Sequence, residues 1–211
     1  MRRGKFETNR HDNYKQDGEA KNEPMNITQS LLLYLHDLAY LFGIILLALL
    51  LVFRVVVVSG DSMNPTLIDS DYLLLLSTPL YHTPKNGDIV VASKDSFKNG
   101  EPIIKRVIAV EGQTVDIDYN SGTVYVDGVA LQETYINSAT TLDEGVKLPL
   151  LVGEGCVFVL GDNRGRSQDS RSPAIGLIDT REILGKAFLL FLPGQSEETK
   201  SRDFGRIGGL Y

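Results

Sequence analysis

The sequence is poor in the residues from which several kinds of function are built. It has a single cysteine, Cys156. That excludes an internal disulfide framework and any zinc cluster built of cysteine thiolates. Its three histidines, His11, His36 and His82, are too scattered to form an evident metal site. Basic residues are in deficit, 21 against 27 acidic ones, which gives a formal net charge of -6. General nucleic-acid binding usually draws on a basic surplus, so the balance argues against that class. Internal repeats are absent, and beyond residue 60 no segment carries a long helical period. At 211 residues the length suits one domain with additional segments.

Long apolar runs, by contrast, are present. Residues 1–30 mix charges of both signs with few apolar side chains, a composition that cannot bury enough surface to offset its ordering entropy. They are expected to be a disordered tail. Leu38 to Phe53 then contains no charge at all. Arg54 interrupts and Val55 to Val58 continue. The 21 residues from Leu38 to Val58 would span roughly 30 Å as a helix, the thickness of a bilayer's hydrocarbon core. Arg54, near one end, can snorkel to the headgroups. A buried core helix fits less well, because this segment is apolar all round and nothing else in the chain is large enough to wrap it. A cleaved signal peptide fits less well too, given the polar lead and the lack of an Ala-x-Ala site after the run. Residues 31–58 are therefore expected to anchor the chain in a membrane. The tail carries six basic residues (Arg2, Arg3, Lys5, Arg10, Lys15 and Lys21), which places it on the cytoplasmic side. Residues 59–211 then lie outside.

That outer part reads as β. Strand patterns run over Ile89–Val91, Ile103–Val110, Cys156–Leu160 and Lys186–Leu192. Thr114–Tyr119 alternates, Asn-Ser-Gly turns, and Thr123–Val126 runs back as a hairpin. The polar, Gly-rich stretch 194–211 is expected to be a flexible tail. The fold class expected is mainly β, with one N-terminal transmembrane helix followed by a β-rich barrel or coiled-sheet domain over 59–193.

Three segments carry residues capable of chemistry. Ser62 lies in Ser59-Gly60-Asp61-Ser62-Met63-Asn64-Pro65-Thr66-Leu67, about four residues past the apolar run. Glycine lets such a turn bend, and a serine there is either an exposed nucleophile or an ordinary turn residue. A nucleophile needs a base, and no histidine has a suggestive context. Lys105, in the strand Ile103 to Ala109, shares a face by alternation with Ile103, Val107 and Ala109. Lost solvation on such a face favours the neutral amine, which accepts a proton. An edge-strand lysine with its ammonium in water fits the same spacing. Gly161 to Arg171 is dense in turn residues and charges, either a solvated loop or a rim that positions a catalytic group.

Taken together, these segments resemble the type I signal peptidases, membrane-bound serine proteases that remove signal peptides from exported proteins. The resemblance is collinear from the apolar span almost to the end of the chain. It rests on Gly60 to Leu67, on Gly87 to Val91 (GDIVV), on Ile104 to Ile108 (IKRVI) and on Gly161 to Arg171 (GDNRGRSQDSR). Gly185-Lys186-Ala187 matches the closing strand. The single span looks more like the short enzymes of Gram-positive bacteria. The resemblance implies a Ser/Lys dyad, with Ser62 as nucleophile and Lys105 as general base. It implies that Ser167 hydrogen-bonds and orients the amine, and that Asp169 and Arg171 pair to hold the loop. By analogy Val56, Val58, Gly60, Met63 and Ile104 meet the substrate, a secretory preprotein with small residues at −1 and −3. It implies the lipid bilayer as a further partner, and neither metal, other cofactor nor nucleic acid. Three positions depart from the family pattern. Gly60 stands where some members have a serine whose hydroxyl helps hold the oxyanion. Glu111 replaces a frequent proline, and Arg171 to Gly176 is longer than usual. A self-cleaving repressor would share the dyad but carry a DNA-binding domain and no span. A peptide-binding relative without activity would have lost Ser62 or Lys105.

Overall fold

The computed structural model describes residues 26–78, 80–196 and 199–210, so the expected disordered tail lies almost wholly outside the described residues. The chain divides into two compact units, up to Ile44 and from Ile45 to Tyr211. The first holds most of helix α1 (Ile27–Val52). Within it Ser30–Val52 is long and apolar enough to cross a membrane, and its most apolar stretch is unburied.

The helix stops earlier than the hydropathy pattern suggests. Phe53–Val57 is strand β1, not the end of a span running to Val58. β-branched valines lose χ1 freedom in a helix and fit a pleated surface, so the Val55–Val58 run favours the strand once a partner is available. The partner is β2 (Tyr72–Ser77), with Val55 opposite Leu74.

The second unit is mainly β, a curled sheet with a smaller sheet beside it. After β2 come β3 (Ile89–Ala92), β4 (Ile103–Val110), β5 (Thr114–Asp118), β6 (Thr123–Val126), β7 (Val129–Ala130) and β8 (Leu150–Leu151). Then follow β9 (Cys156–Leu160), β10 (Ile178–Asp179), β11 (Ile183–Leu192) and β12 (Gly208–Gly209). The large sheet has the order β1-β2-β11-β3-β4-β9-β10, with β12 on β11, and the small one β7-β6-β5-β8. The hairpin expected at Thr114–Val126 is β5 and β6.

Apolar alternation builds the core. Leu73 and Leu75 of β2 are buried, packed with Met63, Leu67 and Ile89. Val90, Val107 and Val159 belong to a second cluster, and Ile108, Ala109 and Phe158 to a third. A register shift between Val107 and Ala109 divides β4 between them. Ala109 therefore packs with Ile108, in a different cluster from Ile103 and Val107, which strict alternation did not foresee.

The C-terminal segment is not the loose tail its composition suggests. Arg206 binds the buried Asp71 carboxylate through two nitrogens, at 2.9 and 2.7 Å, and also donates to the Thr66 carbonyl at 3.2 Å. Gly194 N–H donates to the same carboxylate, and β12 pairs with β11. Arg206 thus supports the chain a few residues beyond Ser62. Arg206→Ala is expected to destabilise the protein by about 1.5–3 kcal/mol, because it strips a charge-assisted partner from a buried carboxylate. A thermal melt against wild type measures this.

Candidate active site

Two free strand edges define a slot. Among the described residues β1 is the outermost strand of its sheet, paired on one side only. β4 pairs with β3 over Ile103 to Arg106, whereas β9 reaches only Arg106 to Val110, so the start of β4 keeps one edge open. Both open edges line one cleft of about 620 Å³. The intervening strands alternate in direction four times, through β2, β11, β3 and β4. β1 and the start of β4 therefore run the same way.

Ser62 and Lys105 meet at the end of this cleft. Lys105 Nζ donates to Ser62 Oγ at 2.8 Å and to the Ile104 carbonyl at 3.0 Å. Lys105 is 5% exposed. Burial penalises a charged amine and so favours the neutral form that can take a proton. The same separation serves a serine hydroxyl donating to a neutral amine, within the reach required of a general base.

Asn163 holds the backbone on both sides of Ser62. Its N–H donates to the Ser62 carbonyl at 3.0 Å, and its side-chain amide donates to the Asp61 carbonyl at 3.0 Å. In a trans peptide the N–H points opposite the carbonyl. Turning the Asp61 carbonyl toward Asn163 thus aims the Ser62 N–H to the other side. Asn137 donates to Asn163 Oδ1 at 3.1 Å and so fixes which way that amide faces.

Asp162 links the Ser62 loop to the strand that carries Lys105. It accepts from Arg106 at 2.9 and 2.7 Å and from the Thr66 hydroxyl at 2.5 Å. Arg106 follows Lys105 in β4, and Thr66 lies in the nucleophile's own loop. Asp162 and Arg106 are both buried, and the Arg106 guanidinium also sits 4.1 Å from the Tyr135 ring centroid. Asp162, Asn163 and Arg106 fall within the motif-bearing segments 104–108 and 161–171, but nothing in their local pattern signals these contacts.

Asp169 and Arg171 form the expected pair. Arg171 donates to Asp169 at 2.8 and 2.9 Å, both side chains fully buried. Arg171 also binds the Arg164 and Ser167 carbonyls, and Asp169 accepts from Gly161 N–H. Glu144, 3.3 Å from Arg171, was not foreseen. Burial first, then the charge of Asp169, raises its carboxyl above the usual range.

Ser167 departs from expectation. Its hydroxyl is buried and makes no hydrogen bond among the described residues, so the implied bond to Lys105 is not formed here. The amine instead contacts Ser62 and the Ile104 carbonyl. Ser167 nevertheless lies close to the Ser62 backbone. A Cβ on Gly161 would lie 2.1 Å from Ser167 Oγ and 2.5 Å from the Ser62 carbonyl, so hydroxyl and carbonyl bracket one glycine. Gly161→Ala is accordingly expected to cost about 1–3 kcal/mol by overpacking and to lower kcat. Comparing Tm and turnover with wild type checks both.

Gly60 has φ +87° and donates its N–H to Asp69 Oδ1 at 2.8 Å. That bond, with a further one from the Ser70 hydroxyl, holds the Asp69 carboxyl below its usual range. A left-handed backbone suits glycine and would strain a serine at this position. Val56, Val58, Gly60, Met63 and Ile104 all line the cleft. Leu184, Glu101 and Gln168 line it too and were not anticipated. Glu111 accepts from Gly155 N–H at 2.8 Å, a turn contact that proline could not make. Among the described residues no histidine, cysteine or carboxylate cluster could hold a metal ion.

Residues 31–192 match the family model "Signal peptidase, peptidase S26". The chain belongs to this family. It is 39% identical over 160 residues to a signal peptidase I of Bacillus licheniformis, covering 71% of this chain and 83% of that one. It is equally similar, 39% over 160 residues, to a probable signal peptidase I-1 of Synechocystis, covering 71% and 78%. A crystal structure of a signal peptidase I from Enterococcus faecalis is 33% identical, covers 49% of this chain and 96% of that one, and gives a TM-score of 0.40. The protein is thus a signal peptidase, a serine endopeptidase acting on exported preproteins, and its apolar helix fits a membrane protein.

Proposed function

We propose that Ser62 is the nucleophile and Lys105 the general base that cut a signal peptide from its preprotein. The 2.8 Å contact between them carries this reading. Neutral Lys105 takes the Ser62 proton as Oγ attacks the scissile carbonyl. The departing amine takes that proton from the lysinium as the C–N bond breaks. A water activated by Lys105 then hydrolyses the acyl-enzyme. Negative charge on the carbonyl oxygen meets the Ser62 N–H, which the Asn163 contacts aim and which Gly60 cannot supplement with a side chain. Removing one such donor costs about 2.7–4 kcal/mol elsewhere, so backbone aim matters here. Ser167, whose hydroxyl has no partner among the described residues, accepts a hydrogen bond from the amine once Ser62 is acylated. Asp169 and Arg171 keep the Ser167 loop in place.

The substrate lies extended in the slot, adding a strand between the open edges of β1 and β4. Its signal side runs back along β1 toward Val56. Small residues at −1 and −3 fill shallow pockets lined by Val56, Val58, Met63 and Ile104. Helix α1 anchors the enzyme with the N-terminal tail in the cytoplasm and the β unit outside. Nine residues lie between Val52 and Ser62, which keeps the nucleophile tethered near the membrane. The test is cleavage of a precursor with an Ala-x-Ala site by the full chain in liposomes, across pH 6 to 8. The rate is expected to rise with pH as Lys105 deprotonates, and a flat or falling profile from folded enzyme contradicts a lysine base.

A further inference from the structure

The cleft is electrically uneven along its length. Its acidic lining residues are Asp61 and Glu101. Asp61, beside the nucleophile, is offset by Arg166 at 2.9 Å. Glu101, two residues before β4, also lines the cleft; it is exposed and has no ion-pair partner among the described residues.

Its position along the substrate follows from strand direction. Because β1 and the start of β4 run the same way, stepping back from Lys105 to Glu101 moves toward Val56 and away from Ser62. Ile103 to Lys105 are strand and Glu101–Pro102 precede it, so four steps at about 3.3 Å each place Glu101 up to roughly 13 Å back. A substrate strand in the slot covers the same distance in about four residues. Glu101 then faces the side chain near −5, counting back from the residue seated at Ser62.

We infer that Glu101 is a specificity-determining residue that reads charge near −5, favouring lysine or arginine there over glutamate or aspartate. This rests on the substrate direction proposed above. The preference is modest, since exposed charge pairs contribute little and are screened by salt. It discriminates among preproteins that all satisfy the small-residue requirement at −1 and −3.

The test uses three peptides with alanine at −1 and −3 that differ only at −5, carrying lysine, glutamine or glutamate. Full-length enzyme in detergent is assayed at low salt, and kcat/KM is compared within each enzyme variant. Wild type is expected to prefer lysine over glutamate by about three- to tenfold. Glu101→Gln should bring that ratio close to one, and Glu101→Lys should invert it. Half-molar salt should compress the wild-type ratio. A wild-type ratio of one, or a preference that Glu101→Lys leaves unchanged, overturns the inference while leaving the dyad reading intact. If folded wild type cuts none of the three, the dyad reading falls and this inference with it.

Discussion

Lys105→Met should lower kcat by about 10²- to 10⁴-fold, the range that general-base catalysis supplies. The variant should keep its fold. Methionine has a similar length, and Lys105 is only 5% exposed among apolar strands, so the exchange puts an apolar chain where an amine was buried. Tm is expected to stay level or rise. Ser62→Ala should abolish cleavage to a similar degree. The double variant should lose little more than either single one, because residues acting as one unit are grossly non-additive. Activity of Lys105→Met within tenfold of wild type would place the base elsewhere.

Asp162→Ala should have the largest effect on stability, about 3–5 kcal/mol, because it strands the Arg106 charge in the interior. It should lower kcat as well. The same carboxylate holds Thr66, behind the nucleophile, and Arg106, next to the base. Losing it frees both halves of the dyad to drift, and small misplacements of reacting groups are costly. Asp162→Asn keeps an oxygen for Thr66 but loses the charge opposite Arg106. It should therefore lie between wild type and alanine in Tm. Urea unfolding and turnover of the three proteins measure the two effects separately. Equal stability of Asp162→Ala and wild type would show that the pair holds nothing together.

Much of the β unit was legible in the sequence because half-buried strands advertise themselves by alternation. β3, β4, β5, β6 and β9 stand where Val, Ile and Thr patterns placed them. The boundary at Val52 was not legible, since hydropathy alone gives a β-branched strand and the end of an apolar helix the same signal. Ser62 in its Gly/Pro turn and Lys105 on an apolar strand are visible locally, and the structure brings them within 2.8 Å of each other. The supports of this pair were less visible. Asp71 and Arg206 are 135 positions apart, and Arg106 and Asp162 are 56 apart. Pairing of that kind depends on how the sheet curls, which no local pattern encodes. The last 18 residues read as flexible because they are polar and Gly-rich, yet one arginine and a two-residue strand dock them. Glu101 escaped notice for the converse reason. An exposed glutamate is ordinary until the strand edges on either side of it are known to be open.

The account turns on Ser62 forming a covalent bond to the substrate. The most direct measurement is an acid quench of the full enzyme during turnover of an Ala-x-Ala precursor, followed by intact mass and peptide mapping. An acyl adduct on Ser62 that is absent from Ser62→Ala is the predicted result. An adduct on another residue, or undiminished cleavage by Ser62→Ala, would contradict it.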